Sequence, residues 1–157
     1  GILINADDDT KRQVIRLALD AGINWIDTAA SYGQGRSETA LGWLLQEVAE
    51  KPFVSTKFAV DINRLDDLRG QIEASVQDSL TRLQRPSVTV LQLHNQLSRE
   101  PQTGAGGHGM LPVYQVLRDG GVLDVMEDLR RQGLCQHIGI TGLGQVDALL
   151  DESKTPT

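Results

Sequence analysis

Gly22-Ile23-Asn24-Trp25-Ile26-Asp27-Thr28-Ala29-Ala30-Ser31-Tyr32-Gly33 is the stretch on which the fold turns. A glycine stop leads into a short apolar run that closes on Asp27, and a small, polar loop then delivers Tyr32. The pattern reads as a β-strand ending in a functional loop. It recurs downstream: Phe53-Val54-Ser55-Thr56 closes on Lys57, and Val88-Thr89-Val90-Leu91-Gln92-Leu93 closes on His94.

The segments between these strands carry helical periodicity. Asp7-Asp8-Asp9-Thr10 can cap a helix whose predicted apolar face is Val14, Leu17, Ala18 and Ala21, with Gly22 as its stop. Ser37-Glu38 opens a second helix with Ala40, Leu41, Leu44 and Val48 inward. A longer third helix runs through Leu65, Leu68, Ile72, Val76, Leu80 and Leu83 until Pro86 breaks it. A long irregular segment is expected from about Asn95 to Pro112. Then come a helix with Val122, Val125, Met126 and Leu129 on one face, ended near Gly133, a fourth strand His137 to Thr141, and a helix from Gln145 to Asp151. About four strands alternating with helices predict an α/β parallel sheet. Parallel strands bring Asp27, Tyr32, Lys57 and His94 to one end of that sheet, the end that carries chemistry in a (β/α) barrel.

Composition sets the outer limits. A chain of 157 residues suits one globular domain, and its 39% hydrophobic and 23% charged content is that of a soluble protein. A net charge of −6 argues against a nucleic-acid partner, which needs a basic face. No apolar stretch is long enough for a membrane span, and no leader pattern opens the chain. The single cysteine, Cys135, excludes an intrachain disulfide and fits a reducing compartment. A cytoplasmic protein is expected.

The strand count does not close a barrel, which takes eight strands. A half with two open edges leaves apolar surface and unpaired backbone, so self-association through the sheet edges is expected. The chain reads as a fragment of a longer protein, a piece that needs partners, or a complete open four-stranded sheet.

The quoted stretch, followed by Ser37-Glu38 and Leu41-Gly42, resembles the aldo-keto reductase signature. Ser55-Thr56-Lys57 and Leu91-Gln92-Leu93-His94 are similar to the next two catalytic strands of that family, in the same order. The resemblance runs from the first helix to about Leu150. It implies a single domain over residues 1–157 that is an incomplete (β/α)8 TIM barrel, lacking the first strand and the last three. It also implies NADPH as cofactor, with NADH as the other candidate, and a small-molecule carbonyl or sugar as substrate.

Residue chemistry agrees with that implication. Carbonyl reduction needs a hydride at carbon and a proton at oxygen. A free phenol, with a pKa near 10, is a weak donor at neutral pH; an ammonium beside it favours the phenolate, so Lys57 is expected to sharpen Tyr32 as the general acid. Asp27 is expected to hold Lys57 charged and oriented, and His94 to donate to the substrate oxygen. The resemblance assigns the same roles. Some relatives have become regulatory subunits, so a non-catalytic subunit or an inactive fragment is the competing expectation.

Weaker signals complete the inventory. Many relatives carry a Ser-Asn pair after the fourth strand that binds the nicotinamide amide; here Thr141-Gly142 stands there, and both are candidate cofactor contacts. Gly104-Ala105-Gly106-Gly107-His108-Gly109 formally fits G-x-G-x-x-G but has no strand before it, so a flexible loop over the site mouth is the expectation. His137 is expected to start its strand and make a structural hydrogen bond. Trp25 and Trp43 fall in core-like patterns, with Trp25 able to reach the pocket rim. No spacing of His, Cys135 and acids predicts a metal site.

Overall fold

A computed structural model describes residues 1–102 and 109–150. The glycine-rich motif, apart from Gly109, and with it His108, lies outside the described residues, as does the end of the last predicted helix.

The chain opens with α1 (Ile2–Asn5) and α2 (Asp8–Asp20). The predicted cap forms: Asp7 accepts from the Thr10 amide at 2.9 Å and from its hydroxyl at 2.8 Å. These bonds, the backbone one first, hold the Asp7 carboxyl below the usual carboxylate range. The predicted inner face of α2 is not the observed one. Leu17 is 61% exposed, while Ile15 is the buried residue of this helix. The physical reason is a clamp that sets the rotation of α2. Arg12 pairs with Glu47 at 2.8 Å, and its guanidinium lies 4.8 Å from the centroid of the Trp43 ring.

Strands and helices then alternate: β1 (Trp25–Asp27), α3 (Arg36–Leu44), β2 (Phe53–Phe58), a 3-10 helix (Ile62–Asp67), α4 (Leu68–Leu83) and β3 (Val88–Leu93). Short β4 (Gln96–Ser98) and β5 (Met110–Pro112) follow, then α5 (Val113–Leu117), α6 (Val122–Arg131), β6 (Cys135–Ile140) and α7 (Val146–Leu150). The main sheet is parallel throughout, in the order β1-β2-β3-β6. The α/β reading therefore stands. The segment from Asn95 to Pro112 is not wholly irregular, because β4 and β5 pair in parallel within it. Three-residue strands are too short for alternation to reveal, and their pairing is long-range.

Side chains alternate across each strand, so the register sorts them into two faces. One face carries Val54, Thr56, Phe58, Leu91 and Leu93, all buried. The predicted stripes of α4 (Leu68, Ile72, Val76, Leu80, Leu83) and α6 (Val122, Val125, Met126, Leu129) join them in one core. The helices can approach closely because Gly42 of α3 has no Cβ. One added there would sit 2.2 Å from the Arg82 carbonyl of α4.

The opposite face is open. Trp25 and Phe53 are each 47% exposed, with ring centroids 5.7 Å apart. Trp25 is thus not a core residue: its strand position turns it to the face that no helix covers. His137 lies within β6 rather than at its start, and its ring makes no hydrogen bond among the described residues. It occupies an exposed place on an edge strand of the sheet.

Candidate functional site

The four residues from separate strand ends and loops converge. Lys57, 6% exposed on the open face of β2, is the hub. Its Nζ donates to Asp27 Oδ2 at 2.5 Å, to the Thr28 carbonyl at 2.8 Å and to the Tyr32 hydroxyl at 3.3 Å. A buried ammonium is costly to leave unpaired, and these three partners use its three donors. Asp27 is fixed in turn, because its Oδ1 accepts from Ser55 Oγ at 2.7 Å. Ser55 accepts from Trp25 Nε1 at 3.3 Å.

His94 meets Tyr32 edge to face, with ring centroids 5.8 Å apart at 77°. Its Nδ1 lies 3.3 Å from Ser31 Oγ. Tyr32 itself is 37% exposed, so the phenol is held at one end by Lys57 while its ring edge reaches solvent. A cleft of about 570 Å³ opens beside this cluster. Lys57 and His94 line it, together with the polar side chains of Gln34, Asp61, Gln71 and Asp78.

The loops that carry the site are tied by residues the sequence reading passed over. Asn95, directly after His94, is buried; its side chain accepts from the Val60 amide at 2.7 Å and donates to the Val60 carbonyl at 2.8 Å. This double bond joins the loop after β2 to the loop after β3. Glu38, fully buried in the first turn of α3, accepts from Thr56 Oγ1 at 2.5 Å and from Arg82 Nε at 2.7 Å. Thr56 directly precedes Lys57, so the pair anchors the strand that carries Lys57 from its covered side. The signal available for both was a polar residue set among buried apolar ones. Strand and helix periodicity alone does not score such residues.

Thr141 and Gly142 follow β6, away from Lys57 along the strand order. The Thr141 amide donates to the Leu93 carbonyl at 3.1 Å, which continues the ladder and brings Thr141 level with His94. The Thr141 hydroxyl is buried and has no hydrogen-bond partner among the described residues. Gly142 adopts φ +66°, with nothing within 4 Å of where a Cβ would stand. Gly144, at φ +128°, packs on β4 so closely that a Cβ would meet the Leu97 carbonyl oxygen at 2.1 Å. The loop bearing Thr141 is thereby pinned through the bonds Leu97 N–H to Leu143 O at 2.8 Å and Gln145 N–H to Leu97 O at 2.9 Å.

The structure thus gathers an acid, an amine, a phenol and an imidazole on one side of a parallel α/β sheet. The sequence model of the Aldo/keto reductase family matches residues 5–157, and the chain belongs to that family. It is similar to the chloroplastic pyridoxal reductase of Arabidopsis thaliana, 31% identical over 160 residues, which covers 94% of this chain and 40% of the relative. L-galactose dehydrogenase of Arabidopsis thaliana is 30% identical over 141 residues, covering 88% of this chain and 40% of that protein. Among solved structures, the glycerol dehydrogenase AKR11B4 of Gluconobacter oxydans superposes with a TM-score of 0.63 at 27% identity, covering 95% of this chain and 44% of its own. An aldo-keto reductase from Klebsiella pneumoniae, solved in complex with NADPH, shares the fold with a TM-score of 0.70 at 19% identity, covering 98% of this chain and 46% of its own. The chain thus spans less than half the length of these relatives, and its sheet corresponds to part of their barrel.

Proposed function

We propose that this chain carries the proton-transfer half of an NADPH-dependent carbonyl reductase, with Tyr32 as the general acid. The observation that carries the proposal is the Lys57 ammonium, 3.3 Å from the Tyr32 hydroxyl and 2.5 Å from Asp27. A positive charge beside a phenol stabilises the phenolate left when the proton departs, so Lys57 favours transfer to the developing alkoxide. Asp27, braced by Ser55, keeps that charge in place. His94 donates to the carbonyl oxygen and spreads its growing negative charge. The substrate is an aldehyde or ketone that is reduced to an alcohol, or a sugar oxidised in the reverse direction. The cleft beside Lys57 and His94 is the natural approach for it.

A nicotinamide dinucleotide, when bound, supplies the hydride. The donor set fits its carboxamide at one point: the Thr141 hydroxyl is buried, without a partner among the described residues, level with His94 and able both to donate and to accept. Gly142 can add only backbone groups. NADPH is the proposed form, as the family resemblance implies.

The test uses the protein in a form that reduces carbonyls. Tyr32→Phe is expected to lower carbonyl reduction by about 100-fold or more while NADPH affinity stays within about twofold. Unchanged turnover would remove Tyr32 from the acid role. A fluorescence titration of the 157-residue chain with NADPH reports separately whether the Thr141 side of the site suffices for binding.

A further inference from the structure

We propose that Trp25 is a positioning residue for proton transfer: its indole N–H orients the Ser55 hydroxyl, which holds Asp27 against Lys57 beside Tyr32. The inference rests on the carbonyl-reductase reading of this site and adds a residue outside the four that carry it. Strand register supplies the frame. In the parallel pair β1–β2, Asp27 stands opposite Ser55 and Trp25 opposite Phe53. Side chains two apart on a strand share a face, so Trp25, Asp27, Phe53, Ser55 and Lys57 all meet on the open side of the sheet.

An indole nitrogen only donates and an ionised carboxylate only accepts. Ser55 Oγ lies 3.3 Å from Trp25 Nε1 and 2.7 Å from Asp27 Oδ1. The hydroxyl therefore accepts from Trp25 and gives its one proton to Asp27. The reverse order would set its proton against the indole N–H and its lone pairs against the carboxylate. Asp27 Oδ2 takes Lys57 Nζ at 2.5 Å, so the carboxylate is gripped at both oxygens and cannot turn without losing a bond. Lys57 Nζ in turn stands 3.3 Å from the Tyr32 hydroxyl. Four hydrogen bonds thus run unbroken from Trp25 to the proposed acid. Ser55 is 2% exposed, which keeps water from replacing either partner at the hydroxyl. The Asp27 side chain is 49% exposed, so without Ser55 its Oδ1 turns to water and the grip on Lys57 loosens. Phe53, whose ring centroid lies 5.7 Å from that of Trp25, limits the swing of the indole.

Trp25 and Trp43 are the two tryptophans of the chain, so proton NMR reads one indole N–H from each. The Trp25 N–H is expected to exchange with water about fivefold faster in Ser55→Ala than in the native chain, the worth of one neutral hydrogen bond. The Trp43 signal is expected to stay unchanged. A Trp25 exchange rate indifferent to Ser55→Ala overturns the proposal. This readout needs neither cofactor nor turnover, so it can fail while the Tyr32 assignment stands, and Tyr32→Phe can fail while the indole result stands. In a form of the protein that reduces carbonyls, Ser55→Ala is expected to lower kcat by about tenfold, with the carbonyl KM within about twofold. Trp25→Phe keeps an aromatic ring at a half-exposed place and loses the N–H. It is expected to lower kcat by about threefold, again at constant KM. A role in packing alone would leave kcat at the native value in Trp25→Phe, and that outcome overturns the proposal, as does a Ser55→Ala loss that falls on KM.

Discussion

The two faces of the parallel sheet are built on different terms. On the covered face, β2 and β3 present Val54, Phe58, Leu91 and Leu93 to helices that adjoin those strands in sequence, and burial is complete. On the open face the same strands present Phe53, Ser55 and Lys57, joined by Trp25 and Asp27 of β1. There Lys57 and its partners form a buried polar cluster. Local alternation of strand and helix finishes one face. The other face carries the proposed site and is organised by hydrogen bonds among polar side chains.

Phe53 and Phe58 turn this difference into a measurement, being one residue type at the two ends of one strand. Phe58→Ala removes a ring that is 1% exposed and is expected to cost about 3–5 kcal/mol in urea unfolding. Phe53→Ala, on the open face, is expected to cost about 1 kcal/mol or less, since its ring already meets water. Equal costs would mean that the open face is covered in solution, by a second copy or otherwise.

The next effect concerns the polar anchor on the covered side. Glu38→Ala is expected to cost about 3 kcal/mol, the low end for a broken buried ion pair, because Arg82 can turn to water. The exposed pair Arg130–Glu127 serves as its control, and Glu127→Ala is expected to change stability by about 0.5 kcal/mol or less. A comparable loss at both sites would remove the distinction between anchored and solvated charges.

On the open face, Gly142→Asn tests the cofactor side. At φ +66° with space around it, the position accepts asparagine, the residue that best tolerates this backbone after glycine. A restored side-chain amide is expected to tighten NADPH binding by about threefold in the titration. Weaker binding would argue that the dinucleotide lies elsewhere.

The smallest expected effect is at the cap of α2, distant from both faces. The Asp7 carboxyl titrates below its unfolded value because Thr10 donates two bonds to it. A depressed carboxyl stabilises the fold above the unfolded pKa, and that stability drains away as pH falls through the folded one, from about pH 4 downward. Asp7→Ala is expected to flatten the acid limb of a stability-pH curve slightly and leave the neutral region only modestly lowered.

Much of this molecule was legible from residue types. The stripes of α4 and α6 were readable because helical periodicity is local, and the places of Asp27 and His94 because short strand-like runs close on them; Lys57 stands one residue before the end of its strand, which runs on through Phe58. Leu17 and Trp25 were misread for a shared reason. Periodicity says that a residue lies on an apolar face, while only neighbours distant in sequence say whether that face is covered. Ser31, Ser55, Glu38 and Asn95 were given no bonding role because a polar residue gains meaning only from the partner it meets, and those partners lie elsewhere in the chain.

The sequence alone determined the α/β alternation, the family and the four residues offered for chemistry, since each depends on short-range pattern and residue identity. Tertiary structure alone decided that Lys57 reaches Asp27, the Thr28 carbonyl and Tyr32 together, that Ser31 meets His94, and that the Thr141 hydroxyl is buried without a partner among the described residues. Those facts depend on distances between groups far apart along the chain. Such distances are set by strand register and helix packing rather than by the nature of any one residue.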